Sequence, residues 1–183
     1  EVDMSHIVPG GHPAALVSGV VLQELDADRN VVFQWRSWDT YDFATYPYNF
    51  RIDPTQKVIS RFHANTVNMD HDGNIIMGTT RAKDDNPKVF KINRQTGEVM
   101  WILGGLLNEF TPVGEGAEVG DFGGHATYRL DNGNLLMYDN SNHRLLGPSS
   151  SQVHEYALDE EARIATRIWS YTPEPGIQAW HRG

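Results

Sequence analysis

The sequence contains no cysteine. Disulfide bonds, zinc sites built from thiolates and catalytic thiols are therefore excluded. The lack of cysteine suits an exported protein, and we expect a secreted or periplasmic location. The chain begins with Glu1, and no signal-peptide pattern of basic, apolar and small residues follows it. We therefore expect a mature form or a part of a longer protein.

Two further shortages narrow the class of protein. No apolar run approaches the length that a helix needs to cross a membrane, so we predict no membrane-spanning segment. Basic residues are in deficit, with 15 Lys and Arg against 24 Asp and Glu and a net charge of −9. Nucleic-acid binding relies on clustered Lys and Arg, so this charge argues against a nucleic-acid partner. A local pair of arginines can still bind a small anion.

Sustained helical periodicity is also lacking. The chain has instead short alternating segments separated by turn residues, which is typical of an all-β protein. Asp-Gly and Asn-Gly pairs supply residues that tolerate the positive φ of tight hairpins. The predicted hairpins join 20–25 to 31–35, 68–69 to 75–77, 89–92 to 98–103, and 128–130 to 135–138.

The hairpins repeat along the chain. Three segments share a strand, a polar turn and a second strand that ends at Trp35, Trp101 or Trp169; they read VLQELDADRNVVFQW, VFKINRQTGEVMWIL and VHEYALDEEARIATRIW. A second series of hairpins begins at His63 and His125. Each period thus holds four strands, and four antiparallel strands per repeat describe a β-propeller blade.

We predict an all-β fold, a partial β-propeller with about three four-stranded blades. It forms one domain over residues 1–183, with approximate blade units 1–62, 63–124 and 125–183. Propellers usually close with four to eight blades. The remaining blades are therefore expected from the rest of a longer chain or from another copy in a homo-oligomer. The alternative fold is a complete β-sandwich whose hairpins are similar by coincidence.

Propeller blades place their innermost strands around a central channel, so His63 and His125, at repeat-equivalent positions, are expected to face one funnel. Arg81 ends an apolar strand and is suited to bidentate contact with sulfate, phosphate or carboxylate oxygens. Arg129 lies four residues after His125 and shares its face if the strand is regular. Asn65 follows His63 by two residues. Together these residues form an anion-binding constellation with a candidate nucleophile.

Each of these residues also has an ordinary structural interpretation. His63 alone reads as a hydrogen-bonded histidine at a strand end, and Arg81 alone as a surface arginine. Asn140 opens a polar loop that includes His143 and is placed to fold over the channel mouth, so we predict that Asn140 binds substrate. No acidic residue joins the constellation, and only His12 is available as a third metal ligand. We therefore predict neither a metal nor a cofactor.

The succession of motifs HANTV, DGNIIMGTTR, VFKINRQTGEVMWILGG and GHATYRLDNGNLLMYDN resembles the arylsulfotransferase family, the PAPS-independent aryl-sulfate sulfotransferases built on a six-bladed β-propeller. The similarity runs over roughly residues 20 to 175. It implies ping-pong transfer of a sulfuryl group from a phenolic sulfate ester to another phenol. The implied partners are small-molecule phenols and aryl sulfates, and three of six blades would be present here.

The resemblance also implies roles for individual residues. The histidine that becomes transiently sulfated in that family matches His125, the His-x-Asn motif falls on His63 and Asn65, and the strand-end arginine falls on Arg81. His125 would be the nucleophile. Arg81 and His63 would bind the sulfuryl oxygens and offset charge on the departing phenolate, with His63 as candidate proton donor. Asn65 would orient the substrate, and Arg129 would support the site.

The chain departs from the family pattern at two positions. Gly124 stands where the family usually has glutamine before the nucleophilic histidine, and Thr40 follows Trp38-Asp39 where relatives commonly have Asp-His. Two other functions stay open on the residues alone. One is a non-catalytic propeller that binds an anionic or aromatic ligand, or a protein, across the funnel. The other is a metal-dependent propeller hydrolase.

Overall fold

Strands dominate the computed structural model, which describes residues 1–7, 9–40, 55, 57–60, 63–79, 89–105, 107–114, 124–140 and 150–177. Helix is limited in these ranges to a single α-turn, Ser37–Thr40, and a short 3-10 helix, Met4–His6. The prediction of an all-β protein is confirmed. Within the described residues, no helix has the length and apolar character needed to traverse a membrane.

The strands before residue 61 form two small sheets. Strand β1 (Leu16–Ser18) and strand β4 (Val58–Ser60) pair in parallel. Strand β2 (Val21–Leu25) and strand β3 (Val31–Arg36) form the predicted first hairpin. The carboxylate of Asp26 closes its turn by accepting hydrogen bonds from the backbone N–H groups of Asp28 and Asn30, at 2.9 and 2.8 Å.

The next two predicted hairpins form one antiparallel sheet of four strands, in the order β5-β6-β7-β8. Its strands are β5 (Ala64–Met69), β6 (Ile75–Thr79), β7 (Val89–Ile92) and β8 (Val99–Leu103). Gly73 and Gly97 stand in the two turns with φ of 80° and 76°, which glycine adopts without steric cost. Both predicted hairpins of this region are confirmed.

The last sheet has five strands, in the order β10-β11-β12-β13-β9. Its strands are β9 (Thr111–Val113), β10 (Gly124–Arg129), β11 (Leu135–Asp139), β12 (Gln152–Asp159) and β13 (Ile164–Tyr171). The four later strands form an antiparallel meander. Strand β9 precedes them in the chain and pairs in parallel with the outer edge of β13, so the meander gains a fifth strand there.

Three of the sheets stack face to face through two apolar clusters. The four-stranded sheet lies between the hairpin β2–β3 and the five-stranded sheet. Trp35 of the first hairpin packs on Phe90 of the four-stranded sheet, with ring centroids 6.2 Å apart. On the opposite face, Trp101 packs with Leu135 and Tyr156 of the five-stranded sheet. Both faces of its two central strands are therefore buried, which matches the burial of every residue of β6 and β7.

The pairing register confirms two of the three tryptophans as repeat equivalents and corrects the third. In β8 and β13 a bulge precedes the tryptophan, so Trp101 lies opposite Lys91 and Trp169 opposite Glu155 in the same place of the two sheets. In β3 the residue after the bulge is Phe33, which lies opposite Glu24. Trp35 is therefore displaced by two residues from the series, although Trp35 and Phe33 belong to the same apolar cluster.

Candidate active site

The edge strands β5 and β10 of the two larger sheets lie against each other although they belong to different sheets. The backbone N–H of Thr127 in β10 donates to Thr66 Oγ1 of β5 at 3.4 Å, and Asn68 Nδ2 of β5 donates to the Thr127 carbonyl at 2.5 Å. The two strands are thus cross-linked at their middle. His63 directly precedes β5 and His125 is the second residue of β10, so both predicted histidines lie at the starts of these contacting strands.

His63 immediately precedes β5 and is exposed, whereas His125 is the second residue of β10 and is half-buried. Burial lowers the pKa of His125, and a charge on His63 lowers that pKa further. His63 directly precedes β5, and β5 contacts β10 around Thr66 and Thr127, so the structure brings together two histidines that are far apart in the sequence. The lowered pKa favours the neutral imidazole at His125.

The two histidines do not, however, occupy equivalent places in their sheets. Ala64 pairs with Thr79 as the first residue of β5, and Gly124 pairs with Asp139 as the first residue of β10. One place further in, Thr66 pairs with Gly78 and His125 with Tyr138, so Thr66 is the register counterpart of His125 and Asn65 is the extra residue of a bulge. The expected repeat equivalence of His63 and His125 is therefore wrong, because His63 precedes the first paired residue of β5, whereas His125 follows the first paired residue of β10.

A β-bulge immediately follows His125. The register passes from His125 opposite Tyr138 to Tyr128 opposite Leu136, so Ala126 and Thr127 share the place opposite Met137. Ala126 has φ of 47°, in the left-handed region that residues with a Cβ seldom adopt. The extra residue reverses the alternation of side chains beyond it. His125 and Arg129 therefore project to opposite faces of the sheet.

The prediction that Arg129 shares the face of His125 is thus wrong. Its guanidinium donates to Asp70 at 2.8 and 2.9 Å, to Glu160 at 2.6 Å and to the Gly133 carbonyl at 3.0 Å. Arg129 ends β10, roughly 10 Å along the strand from His125, because the two residues pair with Leu135 and Tyr138, which are three residues apart. Its charge is held by carboxylates between the sheets, away from the histidine pair.

The carboxylates around Arg129 also hold Lys91, and the group joins the two larger sheets. Lys91 Nζ lies 2.8 Å from a carboxylate oxygen of each of Asp70, Asp72 and Glu160, and Trp101 Nε1 donates to Glu160 at 2.9 Å. Burial works to raise the pKa of Asp70. Hydrogen bonds from Arg129 and Lys91 outweigh it and hold that pKa at about 2. These charged side chains link the two larger sheets. They can be buried because each of them is paired with a group of opposite charge.

Asn140 directly follows β11 and is only 1% exposed. Its carbonyl accepts a hydrogen bond from Ser151 Oγ at 3.3 Å. Neither nitrogen nor oxygen of its side-chain amide has a hydrogen-bond partner within the described part of the chain. Buried amides are normally paired, since an unpaired group costs about 1–3 kcal/mol. The preceding residue, Asp139, pairs with Gly124, so this amide lies at the same strand ends as His125.

Two of the predicted residues lie outside the described ranges, namely Arg81 and His143. Asn65 is described, and it lies half-buried in a bulge of β5 between Ala64 and Thr66. His12 accepts a hydrogen bond from the Ala14 backbone N–H through Nδ1 at 3.0 Å, in the amino-terminal loop. Among the residues that the structure describes, no group of three His, Asp or Glu side chains could hold a metal ion.

Sequence reasoning overlooked Thr66 and Asn68, which reach across to the strand of the candidate nucleophile. Both read as ordinary polar residues of a half-exposed strand. Only their contact with Thr127, 59 or 61 positions away in the sequence, distinguishes them. No local pattern carries that information, because the contact depends on how two sheets stack.

Comparison with known families gives one match. The family model described as Arylsulfotransferase (ASST) matches residues 17–181, which is nearly the whole chain. Comparison with curated proteins gives no significant match. The matched range includes the hairpin β2–β3, both larger sheets and the two neighbouring histidines. The chain therefore belongs to the arylsulfotransferase family.

Proposed function

We propose that this chain transfers a sulfuryl group from a phenolic sulfate ester to a phenol, through a sulfohistidine formed at His125. Family membership supports an aryl sulfotransferase and implies phenolic and aryl sulfate substrates. The observation that carries the mechanism is the nearness of His63 to a half-buried His125 whose pKa is lowered. A neutral imidazole is the form that can attack sulfur.

In the first half-reaction, an unprotonated ring nitrogen of His125 attacks the sulfur of the donor ester. The N–S bond forms as the bond between sulfur and the phenolic oxygen breaks, and the phenolate leaves with the electron pair. His63 supplies a proton to the departing oxygen. The demands on the protein are in-line positioning and stabilisation of charge on the sulfuryl oxygens, as in phosphoryl transfer.

In the second half-reaction, the oxygen of an acceptor phenol attacks the same sulfur. The S–N bond breaks and returns its electron pair to His125, while the phenol proton passes to the now neutral His63. The cycle is balanced and regenerates both imidazoles. Division into two displacements avoids the simultaneous assembly of donor, acceptor and enzyme.

The remaining polar residues are assigned to binding. Arg81, by its family motif, would offer two parallel N–H donors to the sulfuryl oxygens. Asn65 lies in the bulge of β5, the strand that contacts the strand of His125, and it would orient the ester. The buried amide of Asn140 would bind the donor or acceptor oxygen, because that contact supplies the hydrogen bonds which the described part of the chain does not.

The propeller arrangement is part of this proposal. The four-stranded sheet, the five-stranded sheet and the hairpin β2–β3 stack in sequence order, as adjacent blades do. The strands of these three sheets span 21–36, 64–103 and 111–171, and we propose the blade units 1–62, 63–124 and 125–183, with β9 of the second unit paired to the sheet of the third. Further blades, from a longer chain or another copy, would complete six and enclose the histidines in a central funnel. We propose an extracytoplasmic location, which fractionation of the producing cells would test.

The proposal is tested by incubating the full chain with 4-nitrophenyl sulfate and a phenol. We expect nitrophenolate release that depends on the acceptor, and a protein species heavier by one SO₃ group when the acceptor is omitted. His125→Ala should abolish both, a loss of at least about 1000-fold for removal of a nucleophile. His71→Ala is the matched control, because His71 is an exposed histidine in the turn between β5 and β6.

Full release by His125→Ala would remove this residue from the nucleophile's role. Hydrolysis that needs no acceptor and stops with a chelator would indicate the metal-dependent alternative instead. Binding of aryl sulfate without turnover would leave the non-catalytic alternative.

A further inference from the structure

We infer that Thr66 and Asn68 are positioning residues for His125: they hold the bulge that follows it through the backbone of Thr127. The inference rests on the proposed function for its catalytic consequence, but the physical contact can be tested without activity. Neither residue touches the reacting atoms in this scheme. Their effect is transmitted through two peptide groups to the imidazole that is to attack sulfur.

The bulge needs outside support because it departs from the regular ladder. Ala126 and Thr127 together stand opposite the single residue Met137. Ala126 also adopts φ of 47°, which is unfavourable for an L-residue other than glycine. A conformation of this kind persists only where surrounding contacts determine it. Bulges next to active sites are a known means of re-aiming one side chain.

The support comes from the neighbouring sheet. Thr127 is 1% exposed, so its backbone groups have no access to solvent and require partners in the protein. Thr66 Oγ1 accepts from its N–H at 3.4 Å, and Asn68 Nδ2 donates to its carbonyl at 2.5 Å. One residue of the bulge is therefore held at both its donor and its acceptor by side chains of β5.

Close approach of the strands makes these contacts possible. A Cβ on Gly78, in the strand next to β5, would lie 2.4 Å from Thr66 Oγ1 and 2.7 Å from Thr127 Oγ1. Any larger residue there would push the two threonines apart. The absence of a side chain at Gly78 thus lets β5 and β10 approach closely enough to form these hydrogen bonds.

The contacts also set the spacing of the two histidines. Thr66 lies three residues after His63 on β5, and Thr127 lies two residues after His125 on β10. Fixing Thr127 on Thr66 and Asn68 therefore fixes the starts of both strands relative to each other. Catalytic geometry of this kind tolerates little error, since a misplacement of about 1 Å can reduce the rate by about 100-fold.

The sharpest test compares two substitutions at Thr66. Thr66→Val keeps the branched shape and removes the acceptor, whereas Thr66→Ser keeps the hydroxyl. We expect Thr66→Val to raise the pKa of His125 toward its ordinary value, because the imidazole would become more exposed and would move away from the charge on His63. NMR titration of the imidazole measures this pKa. We expect kcat to fall at least 10-fold with little change in KM, and Thr66→Ser to restore both readouts.

Asn68→Ala tests the second contact and should give the same two changes. Its matched control is Asn134→Ala, which removes the hydrogen bond of a similarly half-buried asparagine to Glu155 at 2.7 Å, in the turn at the far end of β11. The control should alter thermal stability alone. An unchanged His125 titration and kcat in both Thr66→Val and Asn68→Ala, in folded protein, would overturn the inference.

The two proposals fail in different ways. If the parent chain transfers no sulfuryl group, the proposed function fails, but the His125 titration still reports whether Thr66 and Asn68 hold the bulge. If the parent chain is active and that titration does not respond to either substitution, only the positioning role is wrong.

Discussion

At the scale of single residues, the decisive feature is the protonation state of His125. In the proposed mechanism a protonated imidazole would have no lone pair for attack on sulfur, so the fraction of neutral His125 would limit the rate at acid pH. Burial and the charge of His63 both lower its pKa below the ordinary 6.5. The lowered pKa would then extend the active pH range to the acid side. It also means that the unfolded chain takes up this proton first as pH falls, so the group disfavours the folded state there.

We predict that His63→Gln shifts the acid limb of kcat/KM to higher pH. The substitution removes the charge that lowers the pKa of His125 but leaves burial in place, so the shift is partial. Loss of the proton donor should also reduce kcat by roughly 100-fold at neutral pH. The pH profile and the NMR titration of His125 measure the two effects separately. A profile unchanged in position would show that the rings do not interact.

At the scale of strands, the fit between β5, β6 and β10 depends on a residue with no side chain. Gly78 is the fourth of five residues in the fully buried strand IIMGT. Glycine is unfavourable in a strand interior, and it often marks close approach of another backbone. Here the approaching strand is β10, with Thr127 at the contact.

We predict that Gly78→Ala destabilises the chain by about 1–3 kcal/mol, the usual cost of overpacking a core. The added methyl group must displace Thr66 or Thr127, and both are held by hydrogen bonds. Gly176→Ala is the control, because a Cβ there meets only Ser150, at 3.4 Å, and should be tolerated. Urea unfolding measures both variants. A free energy of unfolding for Gly78→Ala equal to that of the parent chain would mean that β5 and β10 can separate without cost.

At the scale of the whole molecule, stacking of sheets explains why equivalent tryptophans differ in environment. Trp101 is 1% exposed and lies between the two larger sheets, where it also donates to Glu160. Trp169 occupies the same register position in the last sheet but is 48% exposed and stacks on Tyr171. The difference lies in what covers each face. Trp101 is covered by the next sheet of this chain.

We predict that Trp101→Ala lowers the free energy of unfolding by about 3–5 kcal/mol, as expected for truncation of a fully buried aromatic residue. Trp169→Ala should cost no more than about 1 kcal/mol in the same chain, because its face is half open. Chemical denaturation of the two variants gives the comparison. A similar loss at both positions would contradict the stacking described here.

Local features could be predicted from the sequence because their causes are local. The hairpins follow from alternating strands joined by turn residues with the required φ, and each predicted hairpin is present. The exact register was not predictable, since the bulges after His125 and before Trp101 and Trp169 leave no distinct signature in the amino-acid pattern. The single bulge after His125 made the prediction for Arg129 wrong, because it moves the side chain of Arg129 to the opposite face of the sheet.

The sequence by itself determined the all-β class, the hairpins and the family, because turn chemistry, strand alternation and motif order are written along the chain. Tertiary structure alone decided which polar groups meet: His63 beside His125, Thr66 and Asn68 on Thr127, and Arg129 among carboxylates. These contacts form when the sheets stack, and stacking depends on the apolar area that two whole sheet faces bury. Residues from distant parts of the sequence supply that area, so no short stretch of sequence predicts the contacts.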